Sequence, residues 1–464
     1  MKKLKMILTV ALCKLLIFAL NLFGFSANNL PGNVCLKIYR TIMQDMQLPA
    51  LLIFITGTNG KTVSSITLSH ILRQKGLSVV NNNEGSNQDS GIISKFLKHA
   101  TLTGRIKADA AVLEVDEDST AKLCRKLHPQ YLIVTNLYRD SISRNAHPDF
   151  VYEKLEQIPG DVTLILNADD MLSCTLGREG NRKIFYGAAK APGKTDHCEN
   201  IICDVRVCPN CMMPITYDYI QYHHIGRAHC DHCGYRMPEP QIYADQIDMN
   251  KKTYHISDRI RGTDGIQFFP TGNLFEIYNN LAIVSLCLEL GYDLKFLTQS
   301  LSSVSKAGGR YEEVRVNDTE IISMVGKSQN PISCSQSFSK AKTIDGKKVI
   351  LIAVNDREYG LHTHHEDTSW FYDTDFEFLI DDEVLQYIAI GPRAYDVALR
   401  LVLAGAAPEK ILTRFVYDTD VVNMIDYDAV KGGTILYFFE VYFREWSKKL
   451  KRALEEEGKR HEKR

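Results

Sequence analysis

The stretch Thr56-Gly57-Thr58-Asn59-Gly60-Lys61-Thr62 decides the fold of the first half of this chain. Apolar residues 51–55 precede it and predict a buried strand, and apolar residues at helical spacing predict a helix over 63–76. A glycine-rich turn in that position can surround a phosphate with backbone N–H groups and the positive end of the helix dipole. Lys61 could then reach the β- and γ-phosphates of a nucleotide, and the Thr62 hydroxyl could bind Mg²⁺.

This loop is not a complete Walker A sequence, because Ile55 stands where that motif has its first glycine. The alternative to phosphate binding is a tight turn that carries a solvated lysine. The order Gly60-Lys61-Thr62 between a predicted strand and a predicted helix favours the phosphate-binding interpretation.

Strands and helices are predicted to alternate over residues 50–200. Apolar runs predict four strands, at Leu51–Ile55, Ala110–Val115, Tyr131–Thr135 and Thr163–Leu166. The segments between them are long enough for helices, so the pattern indicates an α/β fold with a parallel, doubly wound sheet. Ligands of such sheets bind at the carboxyl ends of the strands.

Polar side chains follow these predicted strands. Glu114 interrupts a buried run, and because an unpaired buried carboxylate is costly, we expect it to bind Mg²⁺ or to act in catalysis. Asp116 and Glu117 come next, and an exposed acidic turn is the alternative for all three. Asn136 and Asp170, at the ends of later strands, could line the site or form turns and helix caps.

Residues 203–240 contain two Cys-x-x-Cys pairs with 18 residues between them. This spacing is typical of a tetrahedral zinc ribbon, whose expected ligands are Cys208, Cys211, Cys230 and Cys233. A closed shell of four thiolates leaves no position for water, so we expect a structural metal. Four free thiols are the alternative. Cys203, five residues upstream, looks like an extra cysteine. The nearby residues that could substitute as ligands are His223, His224, His229 and His232, although four cysteines already close the shell.

The N-terminal segment is ambiguous. Lys2, Lys3 and Lys5 precede a run from Met6 to Phe25 that is almost entirely apolar and includes Lys14. The run could pack on the protein or lie on a membrane surface, could span a membrane, or could be a signal peptide. A charge near its middle disfavours a span, and export would separate an ATP-dependent enzyme from ATP.

Composition describes an ordinary globular protein of two or three domains, with 464 residues and 45% hydrophobic content. The formal net charge of −1 gives no overall field that would attract nucleic acid. Twelve cysteines in so long a chain do not suggest a disulfide scaffold, and a reducing, ATP-containing compartment fits them. We expect a cytoplasmic protein, with membrane association at the inner face as an option.

Four regions are predicted: an apolar N-terminal segment (1–45), the ATP-binding sheet domain with its inserted ribbon (46–310), a smaller C-terminal α/β domain (311–445) and a charged tail (446–464). In the C-terminal domain, apolar runs predict strands at Val349–Val354, Phe376–Ile380 and Tyr387–Ile390. The tail is predicted to be an exposed helix end that frays.

The loop 56–62 resembles the ATP loop of the Mur ligases, and further motifs in the same order resemble the MurT-type branch of that family. These motifs are Leu30-Pro31-Gly32, Asn83–Asn87, Leu113–Glu117, Asn136–Asp140, Leu166–Asp170, Tyr278-Asn279-Asn280, Gly309-Arg310, and Asp367–Trp370 with Asp373. The ordered set covers most of the chain. One departure is a lengthened stretch after Asn355, in which three histidines precede Asp367: His362, His364 and His365. They could bind metal or relay protons, or they could belong to a solvated loop.

The resemblance implies an ATP- and Mg²⁺-dependent ligase that amidates the α-carboxylate of D-glutamate in the lipid II stem peptide. It implies an acyl phosphate intermediate and ammonia from a separate GatD-type glutaminase partner. The implied ATP-binding residues are Gly57, Thr58, Asn59, Gly60, Lys61, Thr62, Asn279 and Arg310. The implied catalytic carboxylates are Glu114, Asp367 and Asp373, and Thr62 with Glu114 would bind Mg²⁺.

Two other functions stay open at this point. An ordinary Mur ligase would add an amino acid instead of ammonia, and a degenerate member would bind ATP and substrate without turnover. The altered stretch 358–367 supports the degenerate alternative, and the intact Lys61, Thr62 and Glu114 oppose it.

Overall fold

The computed structural model describes residues 2–83, 87–139, 147–303, 311–326, 329–354, 368–440 and 444–461. Arg310, Asp367 and the three histidines at 362, 364 and 365 lie outside the described residues. The chain forms two compact units. The first comprises residues 1–138, 148–199 and 203–305, and the second comprises 139–147, 200–202 and 306–464.

The first unit is built on a sheet of nine strands, and a separate hairpin adds two more. In chain order the strands are β1 Leu51–Thr56, β2 Val79–Asn81, β3 Ala110–Glu114, β4 Tyr131–Val134, β5 Thr163–Asn167, β6 Lys183–Ala188, the hairpin β7 Thr216–Tyr222 and β8 Ile225–His229, then β9 Ile242–Asp248, β10 Thr253–Asp258 and β11 Thr263–Phe268. The spatial order is β11-β10-β9-β6-β5-β4-β1-β3-β2. The four strands predicted in this half are confirmed to within one residue at each end.

Strand β1 lies between β3 and β4 and is parallel to both. The chain leaves β1 toward the β3 side and later crosses to β4 on the other side, so the carboxyl end of β1 is a topological switch point. Strands β1 and β3 are buried along nearly their whole length, because strands inside a parallel sheet are covered on both faces. This explains why their sequences are nearly continuous apolar runs. The phosphate-loop sequence begins where this switch point lies.

Helices cover the sheet. They are α1 Lys2–Leu22, α2 Leu30–Ile38, α3 Ile42–Asp45, α4 Lys61–Gln74, α5 Asp89–His99, α6 Glu117–Leu127, α7 Pro148–Leu155, α8 Met171–Thr175, α9 Leu274–Glu289 and α10 Leu294–Ser303. By length and composition alone, α1 is long and apolar enough to cross a bilayer. In the structure one face of α1 packs against α2 and α5.

The second unit is a six-stranded sheet with four helices. Its strands are β12 Tyr311–Val316, β13 Thr319–Gly326, β14 Lys348–Ala353, β15 Val384–Ile390, β16 Ile411–Arg414 and β17 Thr434–Glu440, in the spatial order β12-β13-β17-β14-β15-β16. Only β12 is antiparallel to its neighbour among these pairs. The helices are α11 Pro331–Ala341, α12 Trp370–Asp373, α13 Ala394–Ala404 and α14 Arg444–His461.

The strand predicted at Phe376–Ile380 is wrong. Residues Phe376–Leu379 form a 3₁₀ helix, in which the N–H of Phe378 donates to the Asp375 carbonyl over 3.1 Å. Phe376 and Leu379 are both buried, three residues apart, which is the period of that helix. A short apolar run without alternation does not distinguish a strand from such a turn.

The predicted fraying of the tail is also not what the structure shows. Leu450 and Leu454 of α14 are fully buried in the core of the second unit, and the ring of His461 stacks on Tyr427 with centroids 4.9 Å apart. The two leucines lie four residues apart on one face of the helix, so a sparse apolar stripe anchors an otherwise charged segment.

The buried Arg400 of α13 organises the turn that contains this 3₁₀ helix. Its guanidinium donates to the carbonyl oxygens of Phe371 (3.0 Å) and Thr374 (2.9 Å) and to the Glu377 carboxylate (2.8 Å). We expect Arg400→Met to lower the free energy of unfolding by about 2–3 kcal/mol, because buried carbonyl acceptors lose their donors.

Chemical denaturation of the full chain measures this effect, with Arg452→Met on the exposed side of α14 as the matched control. Equal stability of the two variants would contradict the importance assigned to Arg400.

Candidate functional site

The phosphate loop is a tight turn that only glycine can make at two positions. Gly57 and Gly60 have φ angles of +121° and +88°. A Cβ on Gly57 would lie 2.3 Å from the Thr135 hydroxyl oxygen, and a Cβ on Gly60 would lie 2.4 Å from the Asn279 side-chain oxygen. The loop is therefore packed closely against residues from the end of β4 and from α9. Any other residue type at position 57 or 60 would also have a strained backbone conformation.

Hydrogen bonds from the segment after β4 hold the loop. The backbone N–H of Asn59 donates to the Asn136 side-chain oxygen over 2.9 Å, and the Asn136 amide donates back to the Asn59 carbonyl over 3.1 Å. The Thr135 hydroxyl donates to the same carbonyl over 2.6 Å. Asn136 is thus part of the site as a loop anchor, one of the two roles that the sequence left open.

Lys61 begins α4 and is buried. Its ammonium lies 2.7 Å from a carboxylate oxygen of the equally buried Glu117, and it also donates to the carbonyl of Gly57. Burial alone would lower the pKa of Lys61, but the negative charges of Glu117, Glu114 and Asp116 outweigh it, so the net shift of the pKa is upward. Lys61 therefore carries its positive charge at the phosphate loop.

Thr62 and Glu114 meet at the carboxyl end of β3. The Thr62 hydroxyl donates to a carboxylate oxygen of Glu114 over 2.7 Å. The backbone of Glu114 is held on both sides by Asn82, whose side chain accepts from its N–H and donates to its carbonyl, both over 2.8 Å. Burial raises the pKa of the neighbouring Asp116, whose own carboxylate caps α6 by accepting from the Asp118 N–H.

These residues fit a nucleotide phosphate with Mg²⁺. Gly60 at the start of the 14-residue helix α4 provides no side-chain cap, so the first N–H groups of the helix are available to an anion. A hydroxyl and a carboxylate in contact are the hard oxygen ligands that Mg²⁺ prefers. The buried side-chain amide of Asn59 has no hydrogen-bond partner within the described residues, which is a further polar group at the loop for a ligand to satisfy.

Asn279 lies against the loop beside Gly60, and its expected contact with the nucleotide stays a prediction. Helix α9, which carries it, starts at Leu274, and Asn273 caps the helix by accepting from the Phe275 N–H over 3.1 Å. Asn279 therefore projects from the second turn of a helix, a more rigid position than a cap.

The four predicted zinc ligands converge. Cys208 and Cys233 have sulfur atoms 3.5 Å apart, Cys211 and Cys230 have theirs 3.6 Å apart, and all four sulfur atoms lie within 4.8 Å of one another. A tetrahedral zinc ion with bonds near 2.3 Å requires sulfur separations of about 3.8 Å, so the cluster fits one such ion.

Electrostatics in the cysteine cluster also suit a cation. Desolvation raises the pKa of Cys208, but hydrogen bonds from the backbone N–H groups of Asn210 and Cys211 and from the neighbouring thiols outweigh it, and the pKa falls to about 7. At Cys211 and Cys233 a backbone hydrogen bond lowers the pKa, but desolvation and hydrogen bonds with the other thiols of the cluster outweigh it, so the pKa of Cys211 rises to about 12 and that of Cys233 also rises. One thiol is therefore readily ionised, and a bound metal would displace the protons of the others. Two of the histidines suggested as substitutes are engaged elsewhere: His229 pairs with Asp218 and Asp231, and His224 lies 3.4 Å from Asp170.

Of the remaining predicted carboxylates, Asp373 is described within the second unit. Asp373 ends α12 in the second unit, where its carboxylate lies 3.3 Å from the guanidinium of Arg139 in the same unit. Arg310 and Asp367 lie outside the described residues, so their expected roles stay predictions.

Two features at the site were not predicted from the sequence. Glu117 was only one of three acidic candidates, and its pairing with Lys61 follows from the start of α6 beside the loop. Asp169 is fully buried, accepts from the Ala188 N–H and the Tyr278 hydroxyl, and burial raises its pKa to about 6. The sequence signals for Asp169 were its place two residues after the end of β5 and its position in the Leu166–Asp170 motif.

Comparison with known proteins agrees with this geometry. The Mur ligase middle domain matches residues 55–205, and the C-terminal domain of MurT ligases matches residues 328–443. The MurT subunit of lipid II isoglutaminyl synthase from Staphylococcus aureus (strain COL) is 29% identical over 92% of this chain and 93% of its own length. The Streptococcus pneumoniae MurT subunit is 28% identical over 85% of this chain and 86% of its own length.

Solved structures agree on the fold. A pseudomurein peptide ligase type C from Methanothermus fervidus superposes with a TM-score of 0.66 at 21% identity, covering 88% of this chain and 80% of its own. MurF ligase from Thermotoga maritima, in complex with ADP, has a TM-score of 0.55 at 14% identity, covering 93% and 85%. The predicted α/β fold is confirmed. The chain is an ATP-dependent ligase and belongs to the Mur ligase family, in its MurT branch.

Proposed function

We propose that this ligase amidates a D-glutamate α-carboxylate in the stem peptide of lipid II, giving D-isoglutamine during peptidoglycan synthesis. The observation that carries the proposal is the charged, buried Lys61 in a phosphate loop whose neighbours Thr62 and Glu114 suit Mg²⁺. The substrate comes from the relatives, two of which are named as MurT subunits of lipid II isoglutaminyl synthase and align over nearly their whole length.

In this proposal the loop positions ATP for attack by the substrate carboxylate. Gly57 and Gly60 give the loop its shape, and Thr58 and Asn59 hold that shape by donating their N–H groups to Asn136. The N–H groups at the start of α4 bind the phosphates, and Lys61 neutralises the charge that grows on the transferred group. A carboxylate oxygen bonds to the γ-phosphorus as the bond to ADP breaks, so the products of this step are an acyl phosphate and ADP. Ammonia then displaces phosphate from the acyl carbon, and the amide remains.

Thr62 and Glu114 would hold Mg²⁺, which when bound supplies charge neutralisation at the phosphate oxygens. Asn279 supports the loop at the side of Gly60. We propose that Arg310, at the domain boundary near residue 310, binds ATP. Asp367 and Asp373 are proposed as carboxylates at the ligase centre or at the partner interface. The relatives are named as subunits of a glutamine-hydrolysing enzyme, which supports a separate glutaminase as the ammonia source. We propose that this partner is of the GatD type.

The cysteine cluster is proposed as a structural zinc site in a ribbon over residues 203–240. We also place the protein in the cytoplasm at the inner face of the membrane, because lipid II is membrane-bound and α1 has an apolar exposed face.

The central test is phosphate release from ATP by the purified chain with lipid II and ammonium chloride. We expect lipid-II-dependent release and an amidated product by mass. Lys61→Ala should slow it by about 10²–10³-fold, because the transition-state charge loses its cation. Lys190→Ala, at an exposed position, is the matched control.

The same assay separates the alternatives. A product that carries an added amino acid would identify an ordinary Mur ligase. ATP binding without turnover, even with a co-purified glutaminase and glutamine, would identify a binding protein and contradict the proposal.

A second prediction concerns Gly60. Gly60→Ala should weaken ATP binding at least tenfold, because the added Cβ collides with Asn279 and moves the loop. Gly76→Ala at the other end of α4 is the control, since Gly76 has nearly the same φ (+85°) with nothing within 4 Å of the new Cβ. Both variants carry a backbone strain of about 1–2 kcal/mol. Calorimetric titration with ATP measures the difference, and equal affinities would argue against the loop as the binding site.

A third prediction concerns the ribbon. The purified protein should contain one zinc per chain by elemental analysis, and Cys233→Ser should lose it, because three thiolates no longer close the tetrahedron. Cys203→Ser should keep the metal, since Cys203 is outside the four-sulfur cluster. Zinc loss in both variants, or in neither, would contradict the assigned ligand set.

A further inference from the structure

Helix α1 is apolar on two opposite faces. One face packs against α2 and α5 through Met6, Thr9, Val10, Cys13 and Ile17. The other is exposed over its whole length, with side-chain exposures from 50% at Leu12 to 69% at Leu22. Its residues are Leu4, Leu8, Leu12, Leu15, Phe18 and Leu22. We call this set the outer stripe.

The outer stripe is one continuous surface. Its members recur at three- or four-residue intervals, so they form a line along a helix of about 30 Å. Phe23 and Phe25 extend the line past the helix end and are 74% and 65% exposed. Contiguous apolar surface of this extent is rare on a protein that works alone in water, and indicates contact with a partner or a membrane.

The surroundings of the stripe are basic, although the whole chain has a net charge of −1. Residues 1–44 contain six lysines and arginines and no aspartate or glutamate, and residues 90–108 contain four and none. The structure places the second segment beside α1, because α5 packs on it. Asp45, Asp89 and Asp109 flank these segments, and Asp45 pairs with Lys2 over 3.2 Å. The excess positive charge is therefore carried by the remaining lysines and arginines of the two segments.

Beside the stripe lies a pocket of about 550 Å³ that we call the lysine pocket. Its lining residues are Lys14, Lys98, His99, Ala100, Thr101, Leu102 and Lys107. Partial burial and the charge of Lys107 lower the pKa of Lys14, as expected where two cations lie close together. The Lys98 ammonium reaches the Asn28 side-chain oxygen at 3.5 Å. The pocket offers ammonium and hydroxyl donors to an anionic group and is large enough to admit a phosphate headgroup.

We propose that the outer stripe and the lysine pocket form one docking surface for an anionic phospholipid bilayer. The stripe inserts at the boundary between headgroups and acyl chains, and the pocket binds a headgroup phosphate. This proposal rests on the proposed function and extends the membrane association suggested there. It names the surface that contacts the membrane and the lipid charge that this surface recognises.

The packing of α1 decides between lying on and crossing the bilayer. A spanning helix would have to withdraw Met6, Val10 and Ile17 from the protein core, whereas an interfacial helix keeps that face buried and inserts only the other. Charge complementarity favours an anionic lipid surface over an uncharged one, since each lysine near such a surface contributes separately to binding.

Co-sedimentation of the full chain with vesicles tests the proposal. Vesicles of equimolar phosphatidylglycerol and phosphatidylcholine should bind at least tenfold more strongly than phosphatidylcholine alone, and added salt should weaken this preference. Lys14→Gln with Lys107→Gln should reduce binding to the anionic vesicles about tenfold. The control pair, Lys251→Gln with Lys431→Gln, removes the same charge at exposed positions elsewhere and should change little.

Leu15→Gln with Phe18→Gln should abolish vesicle binding. The matched control is Ile260→Gln with Ile266→Gln, at positions that are equally exposed outside the stripe (71% and 66%). The proposal would be overturned if both double variants lost vesicle binding equally, or if binding did not depend on the charge of the lipid. A dimer in sedimentation velocity that Leu15→Gln with Phe18→Gln converts to a monomer would also overturn it, because a second copy would then cover the stripe.

Two more measurements distinguish bilayer docking from soluble-phosphate binding and from the ligase reaction. If glycerol phosphate binds to the lysine pocket and the protein shows no preference for anionic vesicles, the pocket is a site for a soluble phosphate. That result would overturn the proposal of bilayer docking. Vesicle binding needs no turnover, so it can succeed even where the ligase assay fails. Conversely, amidation of lipid II in detergent should survive Leu15→Gln with Phe18→Gln, because the stripe is remote from the phosphate loop in sequence and acts only through the membrane.

Discussion

A buried cation at the start of α4 is the constraint on which the first unit depends. Lys61 can be charged in a protein interior only because Glu117 contacts it and Glu114 and Asp116 lie near. That requirement fixes where α6 begins and where β3 ends. It also places a concentrated positive charge beside the N–H groups at the start of α4, where we propose that a phosphate binds. In that proposal, the contacts that fold the loop also position it for catalysis.

The loop is supported from three elements besides its own strand and helix. Thr135 and Asn136 hold its carbonyl and N–H groups from the end of β4, Asn82 fixes the backbone of Glu114 from the end of β2, and Asn279 closes the side of Gly60 from α9. Small amide and hydroxyl side chains serve here because they reach backbone groups at short range without adding charge. A phosphate loop supported in this way loses little entropy when its ligand binds.

Much of this could be predicted from local sequence. Apolar runs bounded by polar residues located the strands of the first sheet, and the cysteine spacing located the four-sulfur cluster, because both signals are contained in a few consecutive residues. The run 376–380 misled because period and length do not separate a short strand from a 3₁₀ turn. The anchoring of α14 rests on Leu450 and Leu454 alone, too sparse a stripe to outweigh the charges around it. The pairing of Lys61 with Glu117 joins residues 56 positions apart, which only the sheet topology brings together.

The ribbon has a consequence for the order of folding. Strands β6 and β9 are parallel neighbours, yet the chain between them runs through the hairpin β7–β8 and both cysteine pairs. Roughly fifty residues must be closed into a loop before β9 can add to the sheet, and closure of so long a loop is entropically unfavourable. The proposed zinc ion would cross-link the four thiols and take residues 208–233 out of the freely moving part of that loop. Because the cost of closure varies only with the logarithm of loop length, this would ease closure by less than about 1 kcal/mol, so metal would assist the addition of β9 to the sheet without controlling it.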